Sequence, residues 1–315
     1  MKLVIQIPCH NEENTLPVTL RDLPKKIEGV DVIETLIIND GSTDGTVDTA
    51  KSNGANHILN MPSKRGLAEA FKKGLSRAVE LGADIIVNTD GDNQYKGEDI
   101  PLLVRPIIEK RAEIVVGCRD ISAIQHFSFM KKMLQKFGSH MVRKFSNTDI
   151  PDTTSGFRAY SREAAMQLNV FSEYTYTLET IIQAGRKGIP ITHAQIRTNP
   201  KLRESRLIKS IPAYIGKSVA TMLRVYLMYE PLKFFTRVGG FLLALGAITG
   251  VRYAYFFFFA AKKGGHVQSL ILGSILCIIG FLVIVIGLLG DIIAANRKLN
   301  EETLYRIRKF GGQAK

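Results

Sequence analysis

Asp90 and Asp92 stand one glycine apart in the stretch ADIIVNTDGDNQY, residues 83–95. They follow the apolar residues 85–87, whose types are common in buried β-strands. Two carboxylates this close repel each other unless a cation lies near them. Mg²⁺ or Mn²⁺ suits the pair, because such ions are held by one or two carboxylates together with substrate phosphate oxygens. Gln94 offers a further oxygen, so the segment is suited to a divalent cation.

Two other interpretations of these residues need no phosphate. A calcium loop of the EF-hand type requires glycine where Tyr95 stands and glutamate where Pro101 stands, and is therefore excluded. A plain acidic turn after a strand fits the segment as well. The spacing alone leaves both a cation site and a simple turn open.

The elements that must position these carboxylates alternate between short apolar runs and amphipathic stretches. This alternation predicts an α/β domain with a mostly parallel sheet covered by helices on both faces. The expected strands are 3–7, 33–38, 57–59, 84–87, 114–117 and, at an edge, 190–196. One helix is expected to begin near residue 13, and four others are expected at 46–52, 67–81, 100–110 and 178–185.

Polar clusters follow three of the predicted strands: PCHNEE at 8–13, NDGSTDG at 39–45 and TDGDNQ at 89–94. In an open α/β sheet, ligands bind beyond the carboxyl ends of the strands, so we expect the clusters to meet at one edge. No GxGxxG follows the first strand and no GxxxxGK[ST] occurs. Their absence argues against a dinucleotide oxidoreductase and a P-loop ATPase.

Two apolar runs lie near the C-terminus, at 238–261 with one charge, Arg252, and at 267–290 with none. About 20 apolar residues suffice to cross a bilayer as a helix, so the runs predict a transmembrane hairpin. A pair of buried core helices is disfavoured, because soluble helices of this length keep a polar face. The expected segments are a cytosolic domain at 1–207, amphipathic juxtamembrane helices at 208–236, the hairpin at 237–293 and a basic cytosolic tail at 294–315.

The net charge is +13, and basic residues crowd near the hairpin, which favours an anionic membrane surface as partner. Nucleic acid is not an expected partner, since neither a Cys/His zinc pattern nor a basic motif interleaved with aromatic residues is present. Three scattered cysteines indicate a reducing compartment. The start of the chain does not resemble a signal peptide. Basic residues at the outer ends of the hairpin outnumber those in its loop, so both termini are expected in the cytosol.

The segments IPCHNEE, IINDGSTDGT, NTDGDNQ and DTTSGFRAYSREA occur in this order. Together they resemble the family-2 glycosyltransferases of GT-A, Rossmann-like fold, and most of all the polyprenyl-phosphate and dolichyl-phosphate sugar synthases, the dolichol-phosphate mannose synthase type. The resemblance covers about residues 1–210, and the hairpin is similar to that of the members with two membrane helices. It implies transfer of one sugar from a nucleotide diphosphate sugar to undecaprenyl or dolichyl phosphate, with inversion. A UDP-linked donor is expected and GDP-mannose is the alternative; relatives with hairpins often form tetramers.

The resemblance also implies roles for individual residues. Those expected at the donor base and ribose are Pro8, His10, Glu12 and Asp40. Asp90 and Asp92 match the DxD pair, with Asp92 and Gln94 as metal ligands. Six basic residues are expected to bind the phosphates of the donor or of the acceptor: Arg119, Lys131, Lys132, Arg197, Arg203 and Arg206. Ser155 and Arg158 are expected near the acceptor.

The acceptor phosphate is already an anion, so the proposed reaction needs no strong general base.

Three other functions compete with this one. A processive polysaccharide synthase would carry a QxxRW motif, and this chain has no tryptophan. An inactive membrane-bound nucleotide-sugar scaffold is opposed by the intact DxD pair but stays open. A nucleotidyltransferase would not need a membrane hairpin.

Overall fold

The computed structural model describes residues 1–119, 139, 142–143, 145–172, 175–200, 211–259 and 267–311. Seven strands are found in this part of the chain: β1 Lys2–Cys9, β2 Val32–Asp40, β3 His57–Met61, β4 Ile85–Asn88, β5 Ile114–Arg119, β6 Arg158–Ser161 and β7 Ile191–Ile196. The helices are α1 Leu16–Asp22, α2 Thr46–Ser52, α3 Leu67–Glu80, α4 Ile100–Ile108, α5 Arg162–Gln167, α6 Thr177–Lys187, α7 Ile211–Tyr229, α8 Pro231–Phe259 and α9 Val267–Gly311. A 3₁₀ turn, Gly97–Asp99, precedes α4.

The seven strands form one sheet in the order β3-β2-β1-β4-β6-β5-β7. β1 pairs in parallel with both β2 and β4, β2 with β3, and β5 with β7. Only β6 among these strands runs against its neighbours, β4 and β5. The prediction of a mostly parallel sheet with an edge strand near 190–196 is therefore confirmed.

Both faces of the sheet are buried, which explains the nearly continuous apolar runs in the central strands. Leu3, Ile5 and Ile7 of β1 are fully buried in one core, which α1, α2 and α4 cover. Val4 of β1 lies in a second core that α3, α5 and α6 cover. Because helices cover both faces of such a parallel strand, its carboxyl end and the loop that follows are the parts that reach the open edge of the sheet.

The strand β6 and the helix α5 are absent from the sequence prediction. β6 has the four residues RAYS and begins with Arg158, so it shows neither an apolar run nor a clear alternation. All four of its residues are nevertheless buried, because β6 lies between β4 and β5. Its position in the middle of the sheet, rather than its sequence, makes it a strand.

Two compact units are found, residues 1–222 with 304–315, and residues 223–303. The second contains α8 and most of α9, which are long and apolar enough to cross a membrane, with mean hydropathy of 1.6 and 3.0. These two helices pack closely at glycines: a Cβ on Gly239 would lie 2.6 Å from the carbonyl oxygen of Gly280, and one on Gly246 would lie 2.7 Å from Cys277 Sγ. Small residues at such contacts are typical of membrane helix pairs.

The segment predicted as a basic tail, 294–315, is helical as far as Gly311, because α9 continues without a break. Its last turns belong to the first unit and contact α5 there. Arg308 donates to the carbonyl oxygens of Met166 (2.8 Å) and Leu168 (3.2 Å), and Tyr305 donates to Glu163. The two bonds from Arg308 satisfy backbone carbonyls at the C-terminal end of α5.

Candidate active site at the carboxyl ends of the strands

The loops after β1 and β2 are joined by direct hydrogen bonds. The backbone amide of Asn11 donates to Ser42 Oγ (3.0 Å), and the Asn11 side-chain oxygen accepts from the amide of Thr43 (2.8 Å). The Glu13 carboxylate accepts from the amide of Gly45 (2.6 Å). Two of the three predicted polar clusters therefore meet at one edge of the sheet.

His10 and Asp40 lie at this junction. The backbone oxygen of Asp40 can only accept, so Nδ1 of His10 donates to it across 2.9 Å. The Asp40 carboxylate is buried and accepts from the amides of Arg65 (2.6 Å) and Gly66 (2.8 Å). The Asp40 carboxylate thereby holds the loop before α3 at the carboxyl end of β2. The predicted contact of Pro8, His10, Glu12 and Asp40 with a nucleoside stays a prediction.

The third cluster, residues 89–95, is here called the acidic loop, and α1 anchors it. The hydroxyls of Thr15 and Thr19 lie 2.9 Å and 3.1 Å from the carbonyl oxygen of Gly91. A Cβ on Gly91 would stand only 3.1 Å from Cys9 Sγ, so the loop packs tightly on the end of β1. The buried Glu12 carboxylate lies 2.7 Å from the same Thr15 Oγ1 and shares the single proton of that hydroxyl with the Gly91 carbonyl, which joins the first cluster to this anchor.

Asp90 and Asp92 are both half-buried within the acidic loop. Asp92 Oδ1 accepts from the amide of Gln94 at 3.2 Å. Asn93, between Asp92 and Gln94, has φ of 53°, a left-handed conformation that few non-glycine residues other than asparagine adopt. On the other side, a Cβ on Gly156 would lie 3.3 Å from an oxygen of Asp90, so the loop at 153–156 closes against the carboxylate.

The acidic loop supplies oxygen ligands of the kind that Mg²⁺ and Mn²⁺ prefer. Within the described residues, no group of three or more His, Cys, Asp or Glu side chains is arranged to hold an ion. A cation at Asp92 and Gln94 would thus be completed by oxygens from a substrate or water. The donor set fits a metal that arrives with a diphosphate better than a permanent structural ion.

Arg119 forms a buried ion pair with Asp152, a residue that the sequence prediction did not single out. Nε donates to Oδ2 (2.7 Å) and Nη2 to Oδ1 (3.2 Å), and Nη2 also donates to Thr154 Oγ1 (3.1 Å). Burial would raise the pKa of Asp152, but the charge and hydrogen bonds of Arg119 outweigh it and lower that pKa. Nη1 makes no hydrogen bond to any residue that the structure describes.

Tyr95 packs beneath this pair, with its ring 6.0 Å from the Arg119 guanidinium carbon. Its hydroxyl accepts from the amide of Gly156 at 3.1 Å. Burial raises the pKa of Tyr95 to about 12, although the charge of Arg119 acts in the opposite direction. The tyrosine is therefore neutral at physiological pH and serves as a hydrogen-bonding support for the loop at 153–156.

Arg158 is fully buried, and four hydrogen bonds hold its guanidinium. Its acceptors are the carbonyl oxygens of Thr153 (3.0 Å), Ser155 (2.8 Å) and Thr177 (2.8 Å), and the hydroxyl of Thr180 (2.7 Å). Two of them belong to the loop at 153–156. The structure thus gives Arg158 a part in shaping that loop. Direct contact of Ser155 or Arg158 with an acceptor stays a prediction, and the Ser155 side chain is itself buried.

Arg197 lies beyond the end of β7 and pairs with acidic side chains. Its guanidinium donates to Asp99 Oδ1 from Nη2 (2.6 Å) and Nε (3.0 Å), and Nη2 reaches Glu98 at 3.3 Å. The predicted role in phosphate binding would require it to leave or share these partners. The other phosphate-binding predictions, Lys131, Lys132, Arg203 and Arg206, fall outside the described residues.

The mostly parallel sheet, with polar loops that meet at its carboxyl edge, has the arrangement expected of a GT-A fold. The family model "Glycosyl transferase family 2" matches residues 4–168 of the 315. The chain belongs to this family and is a glycosyltransferase, so the resemblance seen in the four motifs is confirmed.

Several relatives are named for sugar transfer to polyprenyl lipids. The chain is 28% identical over 239 residues to undecaprenyl-phosphate mannosyltransferase of Micrococcus luteus, covering 71% of this chain and 93% of the relative. It is 23% identical over 206 residues to polyprenol monophosphomannose synthase of Mycolicibacterium smegmatis, covering 62% and 76%. It is 29% identical over 216 residues to UDP-N-acetylglucosamine–dolichyl-phosphate N-acetylglucosaminyltransferase of Methanococcus voltae, covering 61% and 83%.

The fold is also similar to that of a solved enzyme. Glucosyl-3-phosphoglycerate synthase of Mycobacterium tuberculosis, in complex with Mn²⁺, uridine diphosphate and phosphoglyceric acid, superposes with a TM-score of 0.58 at 19% identity. The match covers 71% of this chain and 78% of that structure. At this identity the likeness supports the fold alone.

We expect Arg119→Met to destabilise the protein by about 3–5 kcal/mol at neutral pH, because it leaves a buried carboxylate unpaired. In the wild type, the lowered pKa of Asp152 adds stability above the ordinary carboxyl pKa of about 3.9, and this stability is lost at lower pH. In the variant, burial raises the pKa of Asp152 against only the remaining hydrogen bonds from Thr154 and the backbone amide of residue 119. The deficit should therefore shrink as the pH falls to roughly 5. Thermal unfolding of the purified chain at both pH values measures this.

The matched control is Arg105→Met, which removes an exposed arginine that pairs with Glu109 at 2.8 Å. This variant should unfold like the wild type at both pH values, since exposed pairs contribute little. A deficit for Arg119→Met that is small, or independent of pH, would show that Asp152 does not depend on Arg119.

Proposed function

We propose that this glycosyltransferase moves one sugar from a nucleotide diphosphate sugar to a polyprenyl phosphate, giving a polyprenyl-phosphate monosaccharide. The observation that carries the proposal is the half-buried carboxylate pair of the acidic loop, in a chain that also has two helices apolar enough to enter a bilayer. Three relatives named for mannosyl or N-acetylglucosaminyl transfer to polyprenyl or dolichyl phosphate support it.

Asp92 and Gln94 are the residues that would hold Mg²⁺ or Mn²⁺, with Asp90 beside them. When bound, the ion neutralises the diphosphate and stabilises it as a leaving group. The solved neighbour that contains Mn²⁺ and uridine diphosphate supports a divalent ion in this fold. Asp90, close to Gly156, would orient the donor against the loop at 153–156.

Arg119 would bind a phosphate oxygen through Nη1 while Asp152 fixes its other edge. A guanidinium held in this way keeps its orientation and needs little rearrangement when the substrate binds. The acceptor phosphate oxygen attacks the anomeric carbon as the bond to the diphosphate breaks, so the nucleoside diphosphate leaves with the electron pair and the configuration inverts. No protein base is required, because the acceptor oxygen is already anionic.

The apolar helices α8 and α9 would hold the enzyme where its acceptor lies. A polyprenyl tail stays in hydrocarbon while its phosphate reaches the interface, and α7, which combines apolar and basic residues, would lie near that level. Arg252 in α8 would be costly deep in hydrocarbon, and extension to the interface would relieve the cost. The excess of basic residues outside the hairpin favours a cytosolic catalytic domain and cytosolic termini.

The donor proposal keeps two candidates. A UDP-linked sugar is favoured by the relative that uses UDP-N-acetylglucosamine, and GDP-mannose by the relatives named as mannosyl transferases. A panel of radiolabelled nucleotide sugars, offered with one polyprenyl phosphate to the purified full chain, separates them. An inactive nucleotide-sugar scaffold is the remaining alternative, and it would bind a donor from this panel without turning it over.

The first test removes the proposed metal ligand. Asp92→Ala should lower sugar transfer by roughly 100-fold or more with either ion, because metal coordination contributes several kcal/mol of charge stabilisation. Its thermal stability should stay close to that of the wild type. Glu80→Ala, which removes an exposed carboxylate near the end of α3, is the control and should retain full activity. An active Asp92→Ala enzyme would refute the metal assignment.

The second test concerns the acceptor. Turnover with a purified polyprenyl phosphate in detergent or vesicles should greatly exceed turnover with the matching dephosphorylated polyprenol or with a soluble sugar, since only the phosphate supplies the anionic nucleophile. Initial rates at equal acceptor concentration, followed by release of nucleoside diphosphate and formation of lipid-linked sugar, give the comparison. Equal rates on a soluble sugar would contradict the lipid-phosphate proposal.

A further inference from the structure

A short segment beyond the end of β7, residues 197–199, is hydrogen-bonded along the acidic loop. Thr198 forms an antiparallel bridge with Tyr95, and the amide of Asn199 donates to the carbonyl oxygen of Gln94 at 3.0 Å. The two stretches are about a hundred positions apart in the sequence, yet they form a local two-stranded contact. The segment is therefore bonded directly to the backbone of Gln94, one of the proposed metal ligands.

The side chain of Asn199 extends this contact. Its amide nitrogen donates to the carbonyl oxygen of Asn93 at 3.1 Å and lies 3.4 Å from Asp22 Oδ2 and 3.5 Å from the carbonyl oxygen of Tyr95. Asp22, at the end of α1, also accepts from the amide of Gly97 at 2.9 Å. One side-chain amide thus joins the acidic loop to the end of α1.

Asn93, whose carbonyl oxygen accepts from the Asn199 side chain, has a left-handed backbone conformation. Asn93 lies between the proposed ligands Asp92 and Gln94 and has φ of 53°. Asparagine tolerates this region better than other non-glycine residues, and contacts with its surroundings select this conformation among the alternatives. The bonds from Asn199 to the carbonyls of Asn93 and Gln94 supply such contacts, and Thr15 and Thr19 hold Gly91 on the other side of Asp92.

The start of the segment is fixed as well. The amide of Arg197 donates to Asp99 Oδ2 at 2.6 Å, and the Arg197 guanidinium binds the same carboxylate, which is 1% exposed. Pro200 follows Asn199 and restricts it to extended conformations. Asn199 therefore meets the acidic loop from a backbone that Arg197 anchors on one side and that Pro200 restricts on the other.

We propose that Asn199 is a positioning residue for the divalent-cation site: it contacts neither metal nor substrate, but holds Asp92 and Gln94 in the conformation that binds the ion. This rests on the proposed function, because it requires that Asp92 and Gln94 bind the metal. Removing a residue that orients metal ligands typically lowers metal affinity 10–100-fold. The effect should therefore appear first in the metal dependence of the enzyme.

The test compares the full-length wild type with Asn199→Ala and Asn199→Asp. Free Mn²⁺ is followed by electron paramagnetic resonance during titration with protein, in the presence of UDP and, separately, of GDP. Asn199→Ala should bind Mn²⁺ about 10-fold more weakly. Its transfer rate should return to the wild-type value at saturating Mn²⁺, because no ligand has been removed.

Asn199→Asp keeps the shape of the side chain but places an oxygen where the amide nitrogen donates. That oxygen would face the carbonyls of Asn93 and Tyr95, so this variant should bind Mn²⁺ more weakly than Asn199→Ala. If Asn199→Asp instead binds Mn²⁺ as tightly as the wild type, local charge rather than positioning controls the site, and the proposal is wrong.

Asn56→Ala serves as the matched control. Asn56 precedes β3 at the opposite edge of the sheet, and its side-chain oxygen accepts from the amide (2.8 Å) and hydroxyl (3.0 Å) of Thr35. Its loss should leave Mn²⁺ affinity unchanged. A purely structural role of Asn199 would lower the thermal midpoint of its variants without changing the Mn²⁺ affinity of the folded fraction.

The outcomes separate this inference from the proposed function. If the wild type shows no nucleotide-dependent Mn²⁺ binding, or if Asp92→Ala keeps it, the metal site itself is wrong and the role of Asn199 falls with it. If the wild type binds Mn²⁺, Asp92→Ala does not, and both Asn199 variants match the wild type, only the positioning role is overturned.

Discussion

The repulsion between the carboxylates of Asp90 and Asp92 is the constraint on which the functional account depends. In a flexible chain such a pair would separate, but here a packed loop holds both half-buried residues at the end of β4. Hydroxyls of α1 hold Gly91, and residues 197–199 hold the following carbonyls. The folding energy of the α/β domain thus maintains a concentration of negative charge that a divalent cation can relieve.

The opposite charge is supplied close by and is also fixed before substrate binds. Arg119 is held on one edge by Asp152, and its Nη1 makes no hydrogen bond to a described residue. The buried Arg158 shapes the loop at 153–156 that closes against Asp90. Positive and negative groups are therefore presented on separate, rigid supports. A diphosphate with its metal has both kinds of charge, so it can match the two supports at once.

Most of the fold follows from local signals in the sequence. The strands β1, β2 and β4 consist mainly of apolar residues and are followed by clear turn residues, so the strands and the meeting of their loops were predictable. β6 was not, because a four-residue strand that begins with arginine has no periodic signal. Contacts between residues far apart in the sequence were also not predictable: Arg119 pairs with Asp152, 33 positions away, and Asn199 bonds to Asn93, 106 positions away. Spacing predicts which residues could do chemistry, but tertiary contacts determine which residues position them.

The central claim is that a divalent ion binds at Asp92 and joins the acidic loop to a nucleotide diphosphate. The most direct measurement is X-ray diffraction at the manganese absorption edge from crystals of the full chain grown with Mn²⁺ and UDP or GDP. The account predicts one strong anomalous peak within bonding distance of the Asp92 carboxylate and of the diphosphate. A well-ordered nucleotide whose manganese peak lies away from Asp92, or whose diphosphate lies away from the acidic loop, would contradict it.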